Sequence, residues 1–184
     1  MQLPTSIPER DPQSLWSLQS YLLELAESHF GKRDQSKKIY QPTFSVDGPY
    51  IYNTPSLDGA FVSLGNNSKS YWPTTLYEMA HETVHLLNPI VGYTNFLEEG
   101  AAVEFSIYAQ EKFLLDTIKT PENDLYYEAL ELVRALPGGC FSAAHSIRQE
   151  YGSLGSVSYE QLLTLFPSSE KATLLRLAEK CIPR

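Results

Sequence analysis

One pattern in the chain has the residue types and the spacing to do chemistry: His81 and His85 stand four positions apart, with Glu82 directly after the first. On an α-helix, residues four apart lie on one face, so the two imidazoles can point at one metal ion. Glu82 lies about 100° further round the helix than His81, which places its carboxylate beside the ion rather than on it. A carboxylate there can act as a general base on a water molecule that the metal activates.

The surrounding sequence predicts the helix that this pattern needs. Pro73 suits a first helical turn, Thr74 and Thr75 can cap it, and Asn88-Pro89 ends it. Apolar residues are spread around the rest of the cylinder, so we expect the helix to be mostly buried. Because buried imidazoles and carboxylates need compensating contacts, a metal ion is a natural partner for this group.

A third metal ligand has to come from elsewhere in the chain. Zinc in a catalytic site takes three protein ligands, here a further His, Asp or Glu, and leaves one position open. The next predicted helix is capped by Asn95 and carries two neighbouring carboxylates, Glu98 and Glu99, which are followed by Gly100. Only one of two adjacent helical residues can face the ion. The residues by themselves leave both glutamates open as the third ligand.

From Thr75 to Glu104, about thirty residues, the sequence resembles the gluzincin zinc metallopeptidases, and in its short length the compact members called minigluzincins. In many gluzincins the third ligand is a Glu that stands directly before a Gly and small residues. The resemblance implies that Glu99 is this ligand, and that Gly100 and the alanines after it let the two helices approach closely around the ion. It also implies that an edge strand, for which the segment Ala60 to Leu64 is the candidate, pairs with an extended peptide substrate.

Changes in periodicity predict an α+β fold with a small antiparallel sheet before the His-Glu-x-x-His helix. The strands are predicted at 43–46, 50–52 and 59–64, with Asp47-Gly48 as a turn. The resemblance makes this a zincin-like fold, in which the sheet is followed by an active-site helix and a mainly helical C-terminal half.

Most of the rest of the chain is predicted to be helical. A first helix starts at Asp11-Pro12 and ends at Gly31. After the sheet and the His-Glu-x-x-His helix, the predicted helices are 95–118, 121–136, 140–151, 158–166 and 168–180. Repeats and long linkers are missing from the sequence, which predicts a single domain over residues 1–184.

Length, charge and composition exclude several classes of function. With 184 residues the chain can bury a full core. A net charge of −8 argues against nucleic acid as a partner, because phosphate binding needs a basic surface. A membrane-spanning run and a secretory signal are both missing from the sequence, which predicts a cytoplasmic protein without a membrane partner. Cys140 and Cys181 are too few for a disulfide framework.

Other side chains should complete a hydrolytic site. A tetrahedral intermediate needs a hydrogen-bond donor besides the metal, and His145 is the first candidate for this catalytic role, ahead of Tyr151 and Tyr93. A ligating imidazole normally donates its other ring N–H to an acceptor, for which Glu78 and Glu104 are candidates.

The sequence therefore predicts a zinc-dependent peptidase acting on a peptide or protein substrate. His81, His85 and Glu99 bind Zn²⁺, and Glu82 is the catalytic base. Two imidazoles favour zinc over calcium or magnesium, and iron sites with similar ligands usually lie on β-strands. The alternative is a catalytically inactive metal-binding or regulatory protein-interaction module. Retention of Glu82 and an open coordination position favour the enzyme.

Overall fold

Residues 2–182 are the part of the chain that the computed structural model describes. The strands are β1 (Lys38–Ile39), β2 (Thr43–Phe44), β3 (Tyr50–Asn53) and β4 (Gly59–Leu64). The helices are α1 (Pro12–Phe30), α2 (Trp72–His85), α3 (Phe96–Lys112), α4 (Asp124–Arg134), α5 (Gly139–Tyr151), α6 (Tyr159–Leu165) and α7 (Lys171–Ala178). The fold is α+β: the sheet lies between α1 and α2 in the chain, and the C-terminal half is mainly helical.

The prediction of a small antiparallel sheet is wrong. The zincin-like fold class, which included that sheet, is therefore corrected to an α+β fold with a mixed sheet. The sheet is mixed: β1 and β2 run parallel to β4 along one of its edges, and β3 runs antiparallel along the other. Ser63 pairs with Thr43 on one side and with Tyr50 on the other. The central strand is therefore β4, and both of its edges are occupied.

The physical reason for this error is the Asp47-Gly48 turn signal. These residues do not join two paired strands; they carry the chain past the end of β4, from one of its edges to the other. Gly48 fits there because a Cβ atom at this position would lie 2.6 Å from the carbonyl oxygen of Ser63 and 2.8 Å from that of Leu64. Glycine predicts a tight backbone passage, but it does not specify which strands become partners.

Helices α1 and α3 begin at the capping residues that the sequence indicates, whereas α2 begins at Trp72, ahead of its predicted caps Thr74 and Thr75. Asp11 caps α1 by accepting a hydrogen bond from the Ser14 N–H at 3.0 Å. Asn95 caps α3 in the same way, accepting from the Glu98 N–H at 2.9 Å. The cap determines where α3 starts, and therefore places Glu98 and Glu99 in its first turn.

Three helix boundaries differ from the predicted ones by three residues or more. The third helix ends at Lys112 rather than at 118. Two residues after this end, Leu114 adopts a φ of 55°, which interrupts the helical path. The fourth starts at Asp124 after its cap Asn123, and the last starts at Lys171.

Within residues 2–182, every helix is too short or too polar to cross a lipid bilayer.

Packing brings α2 and α3 together. Their mutual contact is the most extensive one between two elements, and α3 also packs against α4, α5 and α7. The other side of α2 contacts α1 and β4. As a result, the C-terminal half of α2 lies beside the first turns of α3, and the histidines lie beside the paired glutamates.

Gly100 lies in the contact between α3 and α4, whereas the resemblance placed it between the two ligand helices. A Cβ atom at this position would lie 2.7 Å from Cγ1 of Val133, and closer still to the carbonyl oxygen of Ala129. The missing side chain therefore lets α4 approach the start of α3.

We expect Gly100→Ala to lower the free energy of unfolding by about 1–3 kcal/mol, because the added methyl group must push α4 away. In an exposed helix interior the same change would stabilise the protein by up to about 1 kcal/mol. Urea unfolding measures the difference, and Ser142→Ala on the exposed face of α5 is the control. A stabilised Gly100→Ala protein would contradict the close approach of the two helices.

Candidate metal centre

Both histidines of the pattern project from one face of α2, as their spacing predicts. The Nε2 atoms of His81 and His85 lie 3.3 Å apart. Both side chains are largely buried, with 13% and 12% of their surface exposed. The two nitrogen lone pairs can therefore meet at one point close to the protein interior.

Glu99 reaches the same point from α3. Its Oε2 atom lies 3.1 Å from Nε2 of His81 and 3.6 Å from Nε2 of His85. Two ligands of a tetrahedral zinc ion, each about 2.0–2.1 Å from the metal, lie about 3.3–3.4 Å apart. The three atoms are thus spaced like three corners of a zinc tetrahedron. Within residues 2–182, these side chains form the one group of His, Cys, Asp or Glu that is clustered closely enough for a metal.

The charges around these three atoms favour a cation between them. Burial by itself would lower the pKa of His85, but the carboxylates of Glu99 and Glu98 outweigh burial and raise that pKa well above its ordinary value. Burial would likewise raise the pKa of Glu99, but the neighbouring imidazoles hold it well below its usual range. The donor set therefore stabilises positive charge where the ligand atoms converge, and it fits a divalent metal ion.

Glu82 lies beside this group without joining it. The residue is only 4% exposed and lines the same cavity as the three candidate ligands. In the described part of the chain, its carboxylate receives no hydrogen bond. Burial raises the pKa of Glu82 above the ordinary value, and the two imidazoles oppose this rise. An unpaired carboxylate next to a metal site is positioned to exchange a proton with a bound water molecule.

Glu98 contacts His85, one of the candidate ligands, on the other side of its ring. Its Oε1 atom lies 3.2 Å from Nδ1 of His85, and its Oε2 atom accepts a hydrogen bond from the Thr94 hydroxyl at 2.5 Å. An Nδ1–H donated to this carboxylate leaves Nε2 of His85 free to bind a metal. The two neighbouring glutamates thus have different surroundings: Glu99 meets the Nε2 atoms, and Glu98 meets the other side of one ring.

The two glutamates predicted to support the imidazoles lie elsewhere. Glu78 accepts a hydrogen bond from the backbone N–H of Gly65 at 2.9 Å, which ties α2 to the end of β4. Glu104 forms an ion pair with Arg134 at 2.7 Å, which ties α3 to α4. The carboxylate that contacts His85 is instead that of Glu98, which is directly adjacent in sequence to the candidate ligand Glu99.

A cavity of about 760 Å³ opens at the three candidate ligand atoms. One of its walls is β3, and another is the loop at 90–94 that connects α2 to α3. Asn53 holds the two walls together by donating from Nδ2 to the carbonyl oxygen of Ile90 at 2.8 Å. The ligand group is therefore accessible to a molecule much larger than water.

His145 is not among the residues that line this cavity. It is exposed on α5, and its Nδ1 atom lies 3.2 Å from the carbonyl oxygen of His29 on α1. Tyr151 also lies elsewhere and donates to the carbonyl oxygen of Gln161 at 3.3 Å. Of the three donor candidates from the sequence, only Tyr93 lines the cavity.

One aromatic residue of the cavity, Tyr126, is missing from the candidates chosen by sequence. Its ring centroid lies 5.9 Å from that of His81. Burial, reinforced by the charge of Glu99, raises the pKa of Tyr126, so its hydroxyl stays protonated and can donate. The only sequence signal is its position three residues before the buried Ala129 on α4, and twelve tyrosines in the chain make such a signal weak.

Comparison of the chain with protein-family models, with curated proteins and with solved structures finds no match. Any statement about function therefore depends on the residues and their geometry.

Proposed function

We propose that the chain is a zinc-dependent peptidase, in which His81, His85 and Glu99 hold the ion. The observation that carries this proposal is the convergence of three ligand atoms, 3.1 to 3.6 Å apart, at a cavity that also contains the unpaired carboxylate of Glu82. Two imidazole nitrogens and one carboxylate oxygen suit zinc better than calcium or magnesium. A purely structural site would not need Glu82.

The residues around the ligands supply the proton transfers that peptide hydrolysis requires. Zinc, when bound, would polarise the peptide carbonyl and make water more acidic. Glu82 takes a proton from the attacking water on a carboxylate oxygen, and it then gives a proton to the nitrogen of the leaving amine as the C–N bond breaks. The hydroxyl of Tyr126 donates a hydrogen bond to the oxygen on which negative charge develops.

The strand that can pair with a substrate is β3 rather than the segment from Ala60 to Leu64. Both edges of β4 are occupied, whereas the backbone of Tyr50–Asn53, among the described residues, is hydrogen-bonded only on the side facing β4. All four β3 residues line the cavity. An extended peptide can therefore add to the free edge of β3 with its backbone near the ligands.

Acidic peptides should be poor substrates, because the cavity is itself acidic. Among the described residues that line it, four are Asp or Glu and none is Lys or Arg. We expect a peptide with Asp or Glu beside the cleaved bond to have a kcat/KM at least about tenfold below that of its Asn or Gln counterpart. Fluorogenic peptide pairs measure the ratio.

The exposed Asp47 at the rim of the cavity allows a matched control for this prediction. Asp47→Asn should reduce the difference in kcat/KM between the acidic peptide and its amide counterpart. Glu24→Gln, an equal loss of charge on the exposed face of α1, should leave that difference unchanged. Equal cleavage of both peptides by the parent protein would contradict the electrostatic account.

Metal removal is the direct test of the proposed function. The purified protein should contain one zinc per chain by mass spectrometry, lose cleavage of an unstructured protein on treatment with a chelator, and recover it when zinc is restored. Zinc bound without cleavage would favour the alternative, a metal-binding or regulatory module. A protein that binds no zinc after reconstitution would contradict the site itself.

A cytoplasmic location stays a prediction from the sequence.

A further inference from the structure

We propose that Thr94 and Gly155 are positioning residues of the metal centre: they fix the carboxylate of Glu98, which in turn fixes His85. This inference rests on the zinc site of the proposed function. Neither residue touches the atoms that would bind zinc, and they come from two different loops, one before α3 and one between α5 and α6.

Glu98 has little freedom in its surroundings. The side chain is 4% exposed, and within residues 2–182 each of its two carboxylate oxygens has one partner, Oε1 at His85 and Oε2 at Thr94. The Thr94 hydroxyl donates at 2.5 Å, which is a short hydrogen bond to a charged acceptor. Since the carboxylate orients the His85 ring, losing the Thr94 hydroxyl would let both side chains turn.

Gly155 closes the remaining side of the carboxylate. A Cβ atom at this position would lie 2.5 Å from Oγ1 of Thr94, and closer still to Oε2 of Glu98. Its φ is not in the left-handed region, so the backbone conformation does not require glycine. Space does: only a residue without a side chain lets the loop backbone pack against Glu98 and Thr94.

Two further contacts hold these loops in place. Asn95 donates from Nδ2 to the carbonyl oxygen of Leu154 at 2.8 Å, while its Oδ1 caps α3 through the Glu98 N–H. The carbonyl oxygen of Thr94 accepts from the backbone N–H of Cys181 at 2.9 Å. The loop that contains Leu154 and the segment after α7 are therefore both hydrogen-bonded to Thr94 or Asn95, the two residues directly before α3. Through Glu98 these contacts help to fix the position of His85.

The test uses four variants of the full chain. Thr94→Val removes the hydroxyl at nearly constant volume, Thr94→Ser restores it, and Gly155→Ala adds the methyl group that collides with Glu98. Ser106→Ala is the control, since it removes a buried hydroxyl from α3, the helix that carries Glu98. The Ser106 hydroxyl donates to the Ala102 carbonyl oxygen at 2.8 Å, away from the proposed ligands.

Two measurements apply to each variant: zinc affinity by competition with a chromophoric chelator, and the visible absorption spectrum of the Co²⁺-loaded protein. We expect Thr94→Val and Gly155→Ala to weaken zinc binding by about 10- to 100-fold and to change the Co²⁺ bands. Thr94→Ser and Ser106→Ala should both stay close to the parent protein. A merely structural role would not alter the cobalt spectrum.

Parental zinc affinity and a parental cobalt spectrum in Thr94→Val would overturn the inference, and this variant decides if Gly155→Ala does not fold. Failure of the proposed function gives a different result. If the parent binds zinc but cleaves no peptide, and Thr94→Val still weakens zinc binding, then the peptidase proposal fails while the positioning role stands. A parent that binds neither zinc nor cobalt would overturn both.

Discussion

Replacing Glu82 with Gln should lower kcat for peptide cleavage by about 10²–10⁴-fold while leaving one zinc bound per chain. The amide has nearly the same shape as the carboxylate but cannot accept the proton that water must lose. Glu82 is also unlike the ligands in that its carboxylate does not meet the Nε2 atoms of His81 and His85. Loss of cleavage with unchanged metal content is therefore the signature of a general base.

Metal content by mass spectrometry and kcat with a fluorogenic peptide measure the two parts of this prediction. Glu78→Gln provides the matched control, because Glu78 lies on the same helix but binds the backbone of Gly65 instead of lining the cavity. If Glu82→Gln cleaves as fast as the parent, the assignment of the base is wrong. If it loses zinc, Glu82 belongs to the ligand set, and the proposed geometry must change.

The second large effect is expected at Tyr126. Removing its hydroxyl in Tyr126→Phe should lower kcat by about 10²–10³-fold with little change in KM, because the hydrogen bond is needed mainly when charge develops on the carbonyl oxygen. Zinc affinity should stay the same, since the substitution leaves the proposed ligands His81, His85 and Glu99 unchanged. The ring itself remains, so its packing near His81 is preserved.

Tyr127→Phe is the control for this variant, because Tyr127 is the next residue on α4 and its side chain is 55% exposed. Steady-state kinetics of both variants separate kcat from KM. A rise in KM at constant kcat would assign Tyr126 to substrate binding, and unchanged kinetics would remove it from the site. His145→Ala should have no effect on kcat, since His145 lies on α5 against α1.

The local sequence predicted the parts of this site that lie on one helix. The spacing of His81 and His85 determines that they share a face of α2, because a helix turns by a constant angle per residue. Capping worked for a similar reason: Asn95 determines the start of α3 through a hydrogen bond to a residue three positions away. Such relations depend on neighbours in the chain and hardly on the rest of the fold.

Pairing between strands was less predictable. The segments of β2, β3 and β4 were found from their alternation and turn residues, but their directions and partners were not. Gly48 looks like a hairpin glycine in the sequence, and its actual role becomes visible only against the backbone of Ser63 and Leu64. The free edge that could receive a peptide depends on that arrangement, which is why it lies on β3 rather than on β4.

The sequence by itself determined the candidate base, two candidate ligands on one helix face, and a pair of glutamates within reach of them. Only the tertiary structure separated Glu98 from Glu99, placed Tyr126 in the cavity and His145 outside it, and brought Gly155 against the carboxylate behind His85. The physical reason is that side-chain direction within a helix follows from local geometry, whereas contacts between elements depend on how α2, α3, α4 and the loop after α5 pack together.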